Sequence, residues 1–281
     1  MRVLLSFAFL IAGLLVPCPA GFSVLGVGPA EAEAQETFID MKGTHFIVRY
    51  TLPDEKAMAV QLLNKAEEAY ERISRDIGFT RYVDFWTWDK RVKIILFPDQ
   101  ISYTRFTGQE LWSRGYAARD SKLFRDRVVV TYDGQAETFT SILPHEIAHL
   151  ILWDLLADTQ SKTPVWLEEG VAQLEEADQR QMVKEAMRPV IAAGQHIPFN
   201  VFKDLQPSEL KSEVQVTLFY AQSLSIVVFL IEKYGQSAFY RLFKELRDGR
   251  SFEAALARAY NGIINSMADL ESRWIADASS F

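Results

Sequence analysis

Apolar and polar residues alternate over His45-Phe46-Ile47-Val48-Arg49-Tyr50, the period-two signature of a strand, and Pro53-Asp54 breaks it. The period then lengthens. From Ala57 to Ile77 the apolar positions Leu62, Leu63, Ala66, Ala69, Tyr70 and Ile73 recur at helical spacing, and Gly78 closes that helix. Val92–Phe97 and Arg127–Tyr132 read as further strands, stopped by Pro98-Asp99 and Asp133-Gly134, with a polar stretch carrying Gly108 and Gly115 between them. After that the spacing is helical. One strongly apolar helix is predicted over 137–156. A second runs to about Glu176, with Thr163 as its cap and Pro164 as its first helical residue. From Gln179 onward the pattern is almost entirely helical, punctuated by Pro198, Pro207, Gly235 and Gly262. The apolar run Ile226–Ile231 is too short to span a bilayer and reads as buried helix. Strands first and helices later make an α+β chain.

Composition narrows the classes. At 281 residues and 49% hydrophobic, the chain suits one sizeable domain, or one domain of two lobes with a cleft. A formal net charge of -7 and the lack of a basic stripe speak against nucleic acid as a partner. Arg2, the apolar run Val3–Val16 and the small-residue tract Gly26–Ala34 predict a secretory signal peptide over residues 1–34. The expected location is therefore periplasmic or extracellular, with no transmembrane segment in the mature chain. The one cysteine, Cys18, lies in this leader. Pro17 stands where a lipidation signal wants a small residue, so a lipid anchor there is disfavoured. A mature chain starting near 35 has no thiol for a disulfide or a metal.

The chemistry sits in the apolar helix. His145-Glu146-Ile147-Ala148-His149 places two imidazoles one helical turn apart on one face, so both can reach one ion. Glu146 follows the first histidine, where it can accept a proton from a water activated by that ion. The chain has only four histidines, and these two lie among Ile142, Leu143, Leu150, Ile151 and Leu152, where polar groups need partners. The competing assignment is a core helix with hydrogen-bonded histidines. Pro144 forces a choice: the helix starts just before it, with Ser141 as cap, or it bends there. A catalytic zinc has three protein ligands and an open position. The third is sought in Pro164–Gln173, where Leu167, Gly170, Val171 and Leu174 form a packing face and Gly170 admits a close neighbour. Glu168 and Glu169 flank that face, and spacing does not choose between them.

A His-Glu-x-x-His helix followed by Trp166-Leu167-Glu168-Glu169-Gly170-Val171-Ala172 resembles the gluzincin metallopeptidases, and more narrowly the peptidase MA-like group of exported bacterial proteins. Leu143-Pro144-His145-Glu146, Tyr220-Ala221-Gln222-Ser223, Lys233-Tyr234-Gly235 and the late Ala259-Tyr260, Leu270-Glu271 and Trp274 extend the resemblance over most of the mature chain. It implies a zincin-like fold: a small mixed β-sheet with helices, the His-Glu-x-x-His helix, then a mostly helical lobe. The division expected is residues 35–178 and 179–281. It implies one zinc ion on His145, His149 and Glu169, with Glu146 as base, acting on a peptide or protein. It also points to Tyr220 as oxyanion donor, with Tyr234 in reserve, and to Arg127–Tyr132 as the edge strand that pairs with the substrate backbone. Glu168 stands where related aminopeptidases carry asparagine, which puts aminopeptidase activity in doubt. His196, in a loop-like stretch, and His45 are expected outside the site, His45 with nothing to pair with it. Two other functions fit the same motifs: a silent gluzincin-shaped binding or assembly protein, and a zinc amidohydrolase acting on a non-protein amide.

Overall fold

Five strands build one mixed sheet in the order β1-β2-β3-β5-β4: β1 (Ile39–Lys42), β2 (Phe46–Tyr50), β3 (Val92–Phe97), β4 (Gly115–Ala118) and β5 (Val128–Tyr132). The structure is a computed structural model that describes residues 38–78, 86–109, 113–119, 126–133, 137–156 and 163–278. The expected leader with Cys18 lies outside these described residues. β2, β3 and β5 pair in parallel, and the edge strands β1 and β4 pair antiparallel to their neighbours. β2 keeps the alternation read from the sequence, with Phe46, Val48 and Tyr50 inward. β3 and β5 are covered on both faces, as central parallel strands are, which explains their continuous apolar runs.

Helix α1 (Lys56–Ile77) crosses from β2 to β3 and buries Leu62, Ala66, Ala69, Tyr70 and Ile73. Gly78 ends it at φ 72°, a left-handed cap that glycine adopts without strain. The stretch expected to be polar connection holds two elements. One is α2 (Gln100–Thr107), capped by Asp99, whose carboxylate accepts the Ser102 amide at 2.7 Å. The other is β4. Four residues of Gly, Tyr and Ala carry too little β-branched signal to be recognised alone.

The region 137–156 is not one helix. Thr138–Ile142 is a π-helical turn, and α3 (Leu143–Leu155) follows it. Ser141 is no cap, for it lies inside the π turn. Thr163 is no cap either: Pro164 itself takes the extended cap conformation, and α4 begins one residue later, spanning Val165–Leu174 and stopping short of Glu176. The remainder is helical: α5 (Gln179–Ala192), α6 (Phe199–Phe202), α7 (Glu213–Tyr234), α8 (Gln236–Arg247), α9 (Phe252–Ala259) and α10 (Met267–Ala278). α7 is long and apolar enough to cross a membrane by composition, but α4, α5 and α8 pack around it and most of its length is buried. A mixed sheet followed by a mostly helical region is the α+β architecture expected from the sequence.

The helix crossing that matters is α4 on α7. A Cβ at Gly170 would lie 2.5 Å from the Ser223 carbonyl oxygen and 2.8 Å from Val227 Cγ2. Only a residue without a side chain lets the two backbones come this close. Gln173 Nε2 then donates to the Tyr220 carbonyl at 3.2 Å, locking the crossing one turn further along.

Candidate metal centre

His145 and His149 sit on one face of α3 with their Nε2 atoms 3.1 Å apart. Glu169 reaches them from α4, its Oε2 3.7 Å from each Nε2. One ligand atom from each residue lies within 4.8 Å of the others, so the group could hold one metal ion. Of the two glutamates that spacing left open, Glu169 faces the imidazoles, while Glu168 accepts a hydrogen bond from Trp153 Nε1 at 3.3 Å. The Trp153 ring stacks on His149, with centroids 5.8 Å apart. Glu169 Oε2 is buried without a hydrogen-bond partner, and so is Glu146 Oε1. Buried acceptors of this kind are costly to leave unmatched unless a cation or a ligand meets them.

The field at the site favours positive charge. Burial acts against a charged His149, but Glu169, Glu146 and Glu168 outweigh it and raise that imidazole to about 9. Surroundings that hold a proton so firmly attract a divalent cation more strongly still. Burial raises Glu146, against the pull of His145 and His149, and Glu169 adds to the rise. Burial acts the same way on Glu169, but there the two imidazoles prevail and the carboxyl stays below its ordinary range.

Glu176, which the sequence did not single out, is bound to the first histidine. Its Oε1 accepts from His145 Nδ1 at 2.9 Å, which turns His145 Nε2 toward Glu169. Its Oε2 accepts the Ser141 hydroxyl at 2.5 Å. Helical spacing gave no signal for it, since α4 ends at Leu174 and Glu176 reaches His145 from the turn that follows. Pro144 has a part in this arrangement. It has no N–H, so it cannot bond the Thr140 carbonyl four residues earlier. The Ala177 amide takes that carbonyl instead, at 2.9 Å. The proline thus leaves an acceptor open, and the turn carrying Glu176 is tied to the start of the metal helix.

Tyr220 comes from α7 and is buried. Burial raises its phenol well above the usual range, and the charges of Glu169 and Glu146 raise it further, so it keeps its proton beside both carboxylates. Tyr234 packs on Phe229 and Tyr260 and is not brought to the site. His196 Nε2 pairs with Glu271 at 3.2 Å and its ring meets Trp274, which places it among the later helices. His45 has a partner after all: Glu67 takes its Nδ1 at 2.6 Å and its backbone amide at 2.9 Å, and the ring stacks on Tyr70.

The expected edge strand needs correction. β5 is paired on both sides, with β3 and with β4, so its backbone has no free edge. The strand beside the metal helix is β4. A Cβ at Gly115 would collide with Ile142 and come within 3.5 Å of Glu146 Oε1, so this glycine lets β4 lie directly against α3. The Ala117 amide is near enough to Glu146 to draw its carboxyl down slightly. The outer edge of β4 therefore runs along the buried carboxylate.

A family model described as the Peptidase MA superfamily matches residues 112–278, more than half of the 281-residue chain. No curated protein matches the chain.

Proposed function

The chain belongs to the Peptidase MA superfamily, and from that premise we propose that it is a metallopeptidase that hydrolyses peptide bonds with one zinc ion held by His145, His149 and Glu169. The observation that carries this reading is the convergence of those three side chains beside the buried, unmatched Glu146. Two imidazoles and a carboxylate are a donor set that suits zinc. Ligands about 2.0–2.1 Å from a tetrahedral zinc lie roughly 3.3 Å from one another, and the three donor separations here are 3.1, 3.7 and 3.7 Å. Bound there, zinc supplies Lewis acidity to the scissile carbonyl and to the attacking water.

The chain's own residues do the rest. Glu146 accepts the proton of the attacking water and returns it to the leaving amine. Its burial makes it a stronger base than a surface carboxylate. Tyr220, held in its protonated form, donates to the oxyanion of the tetrahedral intermediate. Glu176 and Ser141 fix the ring of His145. The substrate backbone lies along β4, the strand beside Glu146, which sets the scissile bond over α3. Capture of a photo-crosslinking peptide away from Gly115–Ala118 would count against that placement.

The deciding experiment is metal analysis of the purified protein, followed by cleavage of a peptide library with and without chelator, for wild type and Glu146→Gln. Wild type should carry one zinc and lose activity on chelation. Glu146→Gln should keep the zinc and lose turnover by roughly 10²–10⁴-fold. Undiminished hydrolysis by that variant overturns the mechanism. Zinc without any turnover would instead identify a binding protein of gluzincin shape, and cleavage confined to non-protein amides an amidohydrolase.

A further inference from the structure

Glu176 can orient His145 only while its own backbone stays in place, and the turn that carries it is gripped from another part of the fold. Arg72, a partly exposed residue of α1, meets Glu175 with both arms of its guanidinium. Nη1 donates to the buried carboxylate oxygen Oε2, and Nη2 donates to the Glu175 carbonyl at 3.0 Å. The two residues lie 103 apart along the chain, so the contact joins α1 to the turn after α4. As an ion pair it is a poor stabiliser. Burial pushes the Glu175 carboxyl up to about 7 against the pull of Arg72 and Arg180, with Asp76 adding to the rise. Glu175 Oε1 is buried without a hydrogen-bond partner. A buried pair with so large a desolvation cost adds little net stability, and what it offers is a fixed geometry.

That geometry bears on Glu176. A peptide unit is planar, so holding the Glu175 carbonyl orients the whole plane that ends at the Cα of Glu176. Arg72 holds this carbonyl, and the N–H of the same plane donates to the Gln173 carbonyl at 3.1 Å. The next plane is held as well, by the Ala177 amide on the Thr140 carbonyl. With both planes fixed, φ and ψ of Glu176 are fixed too, and its side chain leaves the backbone in one direction. That direction brings Oε1 to His145 Nδ1 and Oε2 to the Ser141 hydroxyl. Gln173 and Thr140 belong to α4 and the π turn, the elements next to the ligands. Arg72 is the member of this set that comes from α1.

We propose that Arg72 is a positioning residue for the metal centre: by gripping the side chain and the carbonyl of Glu175, it fixes the turn from which Glu176 orients His145. This rests on the zinc reading above. Arg72 bonds Glu175 and none of the three candidate ligands, so its loss should reach the ion only through Glu176.

The test measures zinc Kd by competitive titration at about pH 8, where Glu175 is ionised. It compares wild type with Arg72→Ala, Arg72→Lys, Glu176→Ala and the Arg72→Ala/Glu176→Ala double variant. Ile264→Val, a buried change remote from the site, serves as the stability control. Arg241→Ala serves as the clamp control, for Arg241 grips the Ala259 carbonyl with Nε at 3.2 Å and Nη2 at 2.9 Å among the later helices. Arg72→Ala should weaken zinc about tenfold, and Arg72→Lys less, since an ammonium keeps the charge without the planar fork. Both controls should leave zinc affinity alone. In the Glu176→Ala background, loss of Arg72 should change Kd by less than about twofold. Zinc affinity equal to wild type in Arg72→Ala, or a further loss of about tenfold in the double variant, overturns the proposal. Should Arg72→Ala not fold, Arg72→Lys decides, and a Kd equal to wild type overturns the proposal. A second arm follows the Nδ1–H of His145 by NMR in zinc-free protein carrying isotope-labelled histidine. That proton should exchange with solvent roughly tenfold faster in Arg72→Lys than in wild type, and unchanged exchange overturns the proposal. If wild type takes up no zinc, the metal reading fails, and the exchange of this proton alone judges the grip of Arg72.

Discussion

Gly170→Ala is the smallest change that should disturb the metal centre from outside it. On helix propensity alone the substitution would stabilise α4 by about 1 kcal/mol. The crossing with α7 reverses that. The added methyl would stand 2.5 Å from the Ser223 oxygen, 2.8 Å from the Ser223 carbonyl carbon and 2.8 Å from Val227 Cγ2. Ordinary contact between such atoms is about 3.5 Å or more, so the helices must part by roughly 1 Å. The obstacle is backbone, which has no alternative rotamer to adopt. Overpacking costs about 1–3 kcal/mol, and a clash with unyielding backbone falls at about 2–3 kcal/mol of that range before any propensity gain. The net expectation is a loss of about 1–2 kcal/mol, or roughly 2–8 °C in Tm for a domain of this size. Glu169 is the neighbouring residue and moves with the backbone, and a ligand displaced by about 1 Å should weaken zinc at least tenfold. The assay is thermal unfolding in excess chelator together with competitive zinc titration, beside Ile264→Val. The control should lower Tm and leave zinc affinity alone, whereas Gly170→Ala should lower both. An unchanged or higher Tm, or zinc affinity falling equally in the control, refutes the reasoning.

Two further expectations concern the site itself. Glu176→Gln keeps the shape but loses the charge that holds His145 Nδ1–H, so zinc affinity should fall about 10- to 100-fold with the fold intact; affinity equal to wild type in a competition titration would show that Glu176 is a bystander. Tyr220→Phe should keep full zinc occupancy and KM while kcat drops by about 10²–10³-fold, the typical cost of losing one oxyanion donor; unchanged kcat under single-turnover conditions would remove Tyr220 from the mechanism.

Much of this was legible in the chain, for specific reasons. β2 and α1 announce themselves because each buries a set of residues that repeats with the period of its element, and β3 and β5 because each is a short continuous apolar run stopped by turn residues. The two histidines and Glu146 were legible because a helix brings i and i+4 together unaided. Glu169 was not separable from Glu168 by spacing, since that choice depends on how α4 is rotated against α3, a tertiary fact. β4 escaped notice because a four-residue edge strand of Gly, Tyr and Ala owes its conformation to β5 on one side and α3 on the other. Assigning the edge to β5 followed from its nearness in sequence to the metal helix, and it failed because β4 closes over that side of β5. The π turn hid behind an apolar pattern that cannot distinguish it from ordinary helix.

The missing proton of Pro144 has a consequence for how the centre comes together. The bond it leaves to Ala177 joins residues 37 apart along the chain, and the candidate ligands His145, His149 and Glu169, together with Glu146 and Glu176, lie between them. The centre is therefore one closed loop of chain, tied at its neck by a proline's lack of a donor. Loop-closure entropy rises only with the logarithm of length, about 0.6 kcal/mol for each doubling. Residues 157–162 lie between the last described residue of the metal helix region and Thr163. That connection can lengthen considerably before the neck becomes costly to close, so insertions between His149 and Glu169 should be tolerated without separating the two side chains.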